Sequence, residues 1–275
     1  MTQETSAPPR PQPVRVLFEG RYRKFVRDLP QTIFYCPECK GRGCERCEGY
    51  GKLTRDSVQE LIARVAMPRF KARRNKFHGA GREDVDVRML GGGRPFVFEV
   101  LKARRPMISL EDLAAEVNRR AEGRMEIFDL RYCNRKRVVE IKEARCPKEY
   151  AALVRFEKEV AGAEMEERLQ RLQERGRVPI VQETPERVAH RRARLERERW
   201  IELAGWEREE AGWRLRVRSA HGTYIKEAVS GEGGRTRPSL AGLLEAPCQC
   251  VELDVLEILP PEPVEEEQAG PGLSR

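Results

Sequence analysis

Four closely spaced cysteines are the clearest chemical signal in the sequence. The spacing C-x2-C-x4-C-x2-C is formed by Cys36, Cys39, Cys44 and Cys47. Each CxxC pair can hold one side of a tetrahedral ion, and four thiolates leave no open coordination position. The spacing predicts a structural zinc site, with a four-cysteine iron–sulfur cluster as the alternative. The other cysteines lack such clustering and are predicted to be core or incidental thiols: Cys133, Cys146, Cys248 and Cys250.

A second candidate site lies in GREDVDVRML, residues 81–90, where charged and apolar residues alternate. In an extended chain this alternation would bury one apolar face and gather two carboxylates and a guanidinium on the other: Asp84, Asp86 and Arg88. Buried charges are costly unless they are paired, so the pattern favours a site over decoration. Three interpretations stay open: a structural salt-bridge cluster, a D-x-D divalent-metal site of the nucleotide-sugar transferase kind, or one catalytic carboxylate with supporting charges.

A third candidate is SAHGTYIK, residues 219–226. Ile225 separates Tyr224 from Lys226, so an extended chain would place these two polar side chains on one face. An aromatic ring beside a cation suits a flat base and a carboxylate. A core tyrosine beside a solvent-exposed lysine explains the fragment as well, and the fragment alone favours that interpretation.

Short helices mixed with many strands are predicted to position these residues. Capping boxes at 57–60 and 109–112 predict two helices. Residues 163–175 are predicted to be a charged helix or a mobile insert, and periodicity leaves the state of 184–203 open. The mixture predicts an α+β domain. The predicted strands cover residues 96–101, 125–130, 137–141, 149–156, 213–217 and 249–259.

The charge balance favours a polyanionic partner. The chain has 275 residues, 36% of them charged against a usual share of about 25%, and a formal net charge of +8. Nucleic acid is the expected partner, with a merely soluble basic surface as the alternative. Phosphate contacts are predicted from residues 15–27, 69–76 and 187–199. There is no apolar run near the roughly 20 residues of a membrane helix and no apolar signal core, so a cytoplasmic protein without membrane contact is predicted.

Several segments together resemble the archaeal and eukaryotic-type tRNA pseudouridine synthases that modify uridines 54 and 55 of the T loop. The run HGAGREDVDVRMLGGGRPFVFEV resembles the family's catalytic motif. The match continues, in order, with KEYAALV, TPERVAHRRARLERER and GTYIKEAVSGEGGRTRPSLAGLL. The preceding EGRYRKFVRDLPQT and the cysteine segment are similar to the archaeal branch. The resemblance covers residues 18–259.

The resemblance implies a fold, a reaction and a set of site residues. The implied fold is the pseudouridine synthase fold, with a mixed, mainly antiparallel central sheet. The implied reaction converts uridine to pseudouridine in the T arm of tRNA, at position 55 and also at 54, without a cofactor or a catalytic metal. Asp84 of GRED is implied as the catalytic aspartate, Tyr150 of KEY as the ring that stacks on the base, and Lys226 of GTYIK as the cation paired with Asp84. The implied substrate-binding residues are Arg82, Tyr224, Leu243 or Leu244 beneath the base, and His190, Arg191 and Arg192.

Four regions are predicted along the chain. They are a disordered segment at 1–14, a basic and aromatic segment with the zinc module at 15–55, the catalytic domain at 56–260, and an acidic disordered tail at 261–275. Family members usually carry an N-terminal accessory domain with a THUMP-like RNA-binding region, whereas 17 residues precede the resemblance here. A catalytic-domain-only form, a separate THUMP-like chain, or a wrongly chosen start would each explain this.

Two other functions remain as alternatives to the synthase. One is a zinc-containing RNA-binding or RNA-chaperone protein that keeps the synthase fold with little catalysis. The other is a D-x-D transferase, which would require a divalent metal for turnover. The presence of Asp84, Tyr150 and Lys226 together favours an active enzyme.

Overall fold

A computed structural model describes residues 12–158, 160–189 and 193–261. Within these residues the strands are β1 (Val14–Lys24), β2 (Arg74–Gly79), β3 (Arg88–Ala103), β4 (Met125–Tyr132), β5 (Lys148–Phe156), β6 (Arg177–Glu183), β7 (Glu196–Glu209), β8 (Gly212–Ser219), β9 (Thr236–Arg237) and β10 (Cys248–Ile258). The helices are α1 (Val58–Arg69), α2 (Leu110–Ala121), α3 (Arg135–Glu143), α4 (Gly162–Glu174), α5 (Glu186–Ala189), α6 (Ile225–Ser230) and α7 (Leu240–Leu243). None of these helices has the length and apolar character needed to cross a membrane.

The strands form one sheet in the order β4-β1-β3-β10-β5-β8-β7-β6-β9, and β2 also pairs with β3. Every described pairing is antiparallel except that between β3 and β10. The predicted α+β class with a mixed, mainly antiparallel sheet is therefore confirmed.

The centre of the sheet joins parts of the chain that are distant in sequence. Val255 of β10 lies opposite Met89 of β3 on one side and Tyr150 of β5 on the other. Tyr150 in turn lies opposite Val217 of β8. Strand order thus places the segment after residue 81, the KEY segment and the C-terminal strand side by side.

Stacked phenylalanines fill the core beside β1 and β3. Phe18 of β1 and Phe98 of β3 stack with their ring centroids 5.3 Å apart, and Phe70, just after α1, stacks on Phe18 at 6.0 Å. All three rings are fully buried. Large buried rings contribute much of the stability of a core, so this packing fastens the end of α1 to β1 and β3.

Residues 137–141, predicted as a strand, lie in helix α3, so that prediction is wrong. Asn134 caps the helix, its side chain accepting a hydrogen bond from the backbone N–H of Lys136 at 2.9 Å. Ile141 is the one helix residue that is buried. A short apolar run fits a strand and a helix equally well, and the cap decides between them.

The segment from Arg82 to Val87 is a loop, not the predicted extended chain, because β3 begins only at Arg88. The Val87 backbone N–H donates to the Asp84 carbonyl at 3.2 Å and closes a turn. The turn breaks the expected alternation. Glu83 is buried, Asp84 is half-buried and Asp86 is exposed.

Two other segments also change from their predicted state. Tyr224 and Lys226 do not share a face of an extended chain, because Tyr224 precedes α6 and Lys226 lies in its first turn. The basic segment left open at 184–203 contains the short helix α5 and then the start of β7. Each difference places a cation on a short helix, Arg187 on α5 and Lys226 on α6.

Candidate active site

A cleft of about 600 Å³ opens at the centre of the sheet. Its walls come from the 81–87 loop, the starts of β5 and β7, helix α5 and the segment from β8 into α6. Asp84, Tyr150 and Lys226 all line it. The structure thus brings the three predicted catalytic residues into one cavity, together with Arg82 and Tyr224.

Asp84 is held by Arg187, a residue of the basic segment 187–199 that the sequence associates only with phosphate contacts. Nη1 of Arg187 donates to Oδ2 of Asp84 at 2.8 Å, and its Nε donates to Oε1 of the buried Glu227 at 2.5 Å. Burial lowers the pKa of Arg187, but the hydrogen bond and charge of Glu227, with those of Asp84, outweigh burial and raise it overall. Arg187 therefore ties α5 to α6 and presents a fixed guanidinium to Asp84.

The predicted ion pair between Lys226 and Asp84 is not formed. Nζ of Lys226 lies 2.6 Å from Oδ2 of Asp86 instead. Arg187 already occupies Asp84, and the turn after Asp84 carries Asp86 to Lys226. Burial raises the pKa of Asp86, but the hydrogen bond and charge of Lys226 reverse this and leave it lowered. The two carboxylates of the D-x-D pattern thus have different cationic partners.

A buried charge cluster under the loop was missed from the sequence. Glu83 and Arg94 form an ion pair at 2.7 Å, and each side chain is only 1% exposed. The Tyr22 hydroxyl donates to Oε1 of Glu83 at 2.8 Å and accepts from Nε2 of Gln31 at 2.9 Å. Buried ion pairs persist where hydrogen bonds support them, and here Tyr22 donates to Glu83 while Nη1 of Arg94 donates to the Ala80 carbonyl at 2.7 Å. The available signal was the position of Glu83 beside Asp84 in the GRED motif.

Lys24 fixes the backbone of the same loop from β1. Its side chain is fully buried, and Nζ donates to the carbonyls of Leu29 at 2.8 Å, Asp84 at 3.1 Å and Val85 at 3.0 Å. Burial lowers the pKa of Lys24 to about 8. Three carbonyl acceptors match the three donors of an ammonium group, so Lys24 positions the peptide units that follow Asp84.

Tyr150 supplies an aromatic wall of the cleft. It lies on β5 between Val217 of β8 and Val255 of β10, and it is 8% exposed. Burial raises the pKa of Tyr150 to about 12. The phenol therefore stays protonated at neutral pH.

The structure does not place Leu243 or Leu244, implied as the apolar residue beneath the base, in the cleft. Leu244 is fully buried and Leu243 packs against the core, and neither lines the cleft. The reason is that α7 packs on α6, whereas β10 is the direct neighbour of Tyr150 in the sheet. The apolar lining consists of Val87, Val188, Ile225, Leu253 and Val255.

The basic residues differ in how far they are already engaged. Most cations of 15–27, the segment predicted to contact phosphate, bind groups of the protein itself: Arg15 pairs with Glu99, Arg23 with Glu126 and Arg27 with Asp254. In the 69–76 segment Lys71, Arg73 and Arg74 are exposed and have no carboxylate at ion-pair distance among the described residues. His190, Arg191 and Arg192 lie outside the described residues.

The four cysteines form one compact group. The Sγ atoms all lie within 4.8 Å of one another, and Cys36–Cys44, Cys39–Cys47 and Cys44–Cys47 are each separated by 3.7 Å. A tetrahedron with metal–sulfur bonds of about 2.3 Å has sulfur–sulfur edges of about 3.8 Å. Gly51 has φ +71°, and a Cβ there would lie 2.5 Å from the Gly41 carbonyl oxygen, so this turn requires glycine. The group can hold a metal ion.

The comparisons with known proteins agree with the resemblance drawn from the motifs. The structure is an α+β fold with an aspartate and a tyrosine in a cleft at the centre of its sheet. The family described as Pus10, C-terminal, matches residues 17–259. The chain belongs to the Pus10 C-terminal family.

Relatives with curated names are similar over most of this chain. The tRNA pseudouridine synthase Pus10 of Methanothrix thermoacetophila is 46% identical over 242 residues, covering 87% of this chain and 52% of the relative. Its namesake in Methanothermobacter marburgensis is 45% identical over 248 residues, covering 88% of this chain and 60% of the relative. The chain thus spans little more than half the length of these relatives. Among solved structures, a Cbf5-Nop10-Gar1 complex matches with a TM-score of 0.39 and 18% identity, covering 72% of this chain and 43% of that one.

Proposed function

We propose that the chain is a tRNA pseudouridine synthase that isomerises uridine in the T loop, at position 55 and also at position 54. The supporting observation is that Asp84 and Tyr150 line one cleft in a chain of the Pus10 C-terminal family. The relatives named above are tRNA pseudouridine synthases by name. These relatives are longer proteins, and the assignment of their activity to this chain is part of the proposal.

In the proposed reaction, Asp84 acts at the ribose, either as a nucleophile at C1′ or as a base that removes a ribose proton. The N1–C1′ bond breaks, the uracil turns, and C5 bonds to C1′; C5 then loses its proton and N1 gains one. Arg187 holds the Asp84 carboxylate at 2.8 Å, which fixes its direction of approach. Tyr150 offers a ring face to the detached base and a protonated hydroxyl for proton transfer.

The target uridine must leave the folded T loop before it can enter the cleft. Extrusion of a base costs a few kcal/mol, which contacts with the RNA backbone can offset. The exposed Arg82 at the cleft wall and the exposed cations of the 69–76 segment are placed to make such contacts. The apolar residues of β10 provide a surface on which the uracil can turn.

The separate partners of Asp84 and Asp86 support a single catalytic carboxylate over a D-x-D metal site. Asp84 is held by Arg187 and Asp86 by Lys226. A shared divalent ion would require both carboxylates to turn away from these cations and towards each other. The synthase proposal needs no such rearrangement.

The proposal also includes a structural zinc ion bound by the four cysteines. The 3.7 Å sulfur separations fit a tetrahedral ion, and the backbone N–H groups of Gly43, Cys44 and Gly51 each donate to a cysteine sulfur at 3.2 Å. Zinc would stabilise the fold of the module and take no part in the reaction. Because tRNA is the proposed substrate, the protein would act in the cytoplasm. One of the three explanations given above, a separate THUMP-like chain, would assist docking of the T arm.

The direct test is to incubate purified protein with an unmodified tRNA transcript and to map pseudouridine by carbodiimide treatment and primer extension. We expect a stop at position 55, and a second stop if position 54 is also a target. Tight tRNA binding without either stop would favour the RNA-binding alternative. Activity that required added magnesium and both aspartates would favour the metal-dependent transferase.

A further inference from the structure

One end of the cleft carries two cations and a histidine, which come from three neighbouring strands. Lys148 begins β5, Arg199 lies near the start of β7, and His221 follows the end of β8; all three line the cleft. Ser219 of β8 lies opposite both Lys148 and Ile201 in register. Arg199 is two residues before Ile201, and His221 is two residues after Ser219. The sheet therefore brings both side chains to the edge where Lys148 lies.

These groups lack the partners that buried polar groups normally have. Lys148 is only 7% exposed, and its ammonium donates to the Cys146 carbonyl at 3.1 Å. Arg199 is half-buried, and its Nη1 donates to the Glu198 carbonyl at 2.6 Å, but its Nε and Nδ1 of His221 are buried without a hydrogen-bond partner. Within 12–158, 160–189 and 193–261, no carboxylate lies at ion-pair distance from Lys148 or Arg199. A buried cation without a counter-ion costs free energy, which indicates that its partner is a bound molecule.

The acids of the cleft cannot serve as that partner. Glu83 is paired with Arg94, and Asp84 with Arg187. The local field is therefore positive: burial and the nearby Arg94 lower the pKa of Lys148 to about 8, and burial with Lys148 and Arg199 lowers the pKa of His221. A site with unpaired donors and a positive field is suited to an anion.

We propose that Lys148, Arg199 and His221 bind one backbone phosphate of the substrate RNA, next to the nucleotide whose base contacts Tyr150. Lys148 and Tyr150 are two residues apart on β5, so their side chains leave the same face about 7 Å apart, within the span of one nucleotide. This inference rests on the proposed function and adds to it the contact that sets the position of the RNA strand in the cleft. It also explains why the cations stay unpaired in the free protein.

The test uses binding, so that it does not depend on turnover. Binding of the whole chain to an unmodified T-arm stem-loop RNA is measured at fixed salt, with the charge removed by a methylphosphonate at one linkage at a time around positions 54 and 55. The variants are Lys148→Met and Arg199→Met. The control is Lys142→Met, an exposed lysine of α3 outside the cleft.

We expect Lys148→Met to weaken binding of the native RNA by roughly 10- to 100-fold, the effect of losing a charge-assisted hydrogen bond. A methylphosphonate at one linkage should weaken RNA binding by the wild type by a similar factor. The same modification should cause little further loss of affinity in Lys148→Met and Arg199→Met. Lys142→Met should behave as wild type. The melting temperature of Lys148→Met should be unchanged or higher, because an unpaired buried charge has been removed.

Two results would overturn the phosphate site. One is wild-type affinity of Lys148→Met for the native RNA; the other is an equal loss for wild type and Lys148→Met at every modified linkage. A lower melting temperature in Lys148→Met with the linkage effects unchanged would assign Lys148 a structural role instead. A further outcome is that one linkage weakens binding in the wild type only, while the RNA is never converted to pseudouridine. That result would contradict the proposed function and support the phosphate site.

Discussion

Asp84 and Asp86 are two residues apart and yet differ in burial and partner, which makes them separable by mutation. Asp84→Asn is nearly isosteric, so fold and tRNA affinity should persist while pseudouridine formation becomes undetectable. Asp86→Asn loses only its contact with Lys226, so turnover should fall by about 10-fold through poorer orientation and remain measurable. Single-turnover assays on tRNA, with affinity measured in parallel, would test both variants. Substantial turnover in Asp84→Asn would remove Asp84 from the catalytic role.

Arg187 is the residue whose role changes most between sequence and structure. It joins Asp84 to Glu227 across two short helices and a loop, with distances of 2.8 and 2.5 Å. Arg187→Lys keeps the charge but cannot make both contacts in the same plane. We expect turnover to fall by about 100-fold with less than a 3-fold change in tRNA affinity, as for a lost orienting contact. Equal losses in turnover and affinity, measured by single-turnover kinetics, would instead make Arg187 an RNA-binding residue.

At the scale of elements, the 81–87 loop depends on β1 through Lys24. Lys24→Met leaves the carbonyls of Leu29, Asp84 and Val85 without their donor, and a buried unsatisfied acceptor costs about 1–3 kcal/mol. Relief of the buried charge offsets part of this loss. We expect a net decrease of about 2 kcal/mol in the free energy of unfolding at pH 7. The exposed substitution Lys142→Met should change it by less than about 0.5 kcal/mol.

The same contact gives a pH dependence with a defined sign. The pKa of Lys24 is about 8 in the folded protein against 10.5 in its ordinary state, so the folded protein releases this proton first. Below pH 8 the folded state carries the whole cost of the buried charge, about 3 kcal/mol, and this cost is relieved between pH 8 and 10.5. The stability difference between wild type and Lys24→Met should therefore grow with pH across that window. Urea unfolding at pH 7 and pH 10 would show it, and a constant difference would contradict it.

The cysteine module is a second element with its own prediction. If zinc binds Cys36, Cys39, Cys44 and Cys47, metal analysis of protein purified without added iron should find about one zinc per chain. Removing the ion should unfold residues 36–51 locally before it affects chemistry, since the module has little apolar core of its own. Hydrogen exchange with and without chelator would measure this. Iron with inorganic sulfide in place of zinc would make the cluster alternative correct.

For the whole molecule, the distribution of unpaired charge matters more than its net value of +8. Arg73 and Arg74 are exposed and have no carboxylate partner in the described parts of the chain, whereas the exposed Arg119 and Arg120 are held by Glu116. Each phosphate contact adds about 0.7–0.9 to the slope of log affinity against log salt. The double variant Arg73→Gln/Arg74→Gln should lower the slope for tRNA binding by about 1–2, and Arg119→Gln/Arg120→Gln should leave it unchanged. Equal slopes for both double variants would place the RNA elsewhere.

Local features could be predicted from the sequence because the residues that decide them are close together. The cysteine spacing spans 12 residues, and the four sulfurs do meet. Ser57 and Ser109 accept the capping hydrogen bonds of α1 and α2 that their capping boxes predict. The motifs around Asp84 and Tyr150 identified the family and two residues of the cleft. Such signals survive because caps and metal ligands depend on spacing along the chain and not on the path of the rest of it.

The partners of the site residues depend on tertiary structure. Arg187 is 103 residues from Asp84 and Lys226 is 140 from Asp86, and only the turn at 84–87 decides which cation meets which carboxylate. Leu253 and Val255 of β10 line the cleft because that strand lies beside β5, and the unpaired cations meet because β5, β8 and β7 are neighbours in the sheet. The sequence by itself therefore predicted the cysteine group, the family and the presence of Asp84 and Tyr150 in the cleft. The tertiary structure decided the electrostatic pairing of Asp84 and Asp86, because contacts between distant segments arise only when the chain folds.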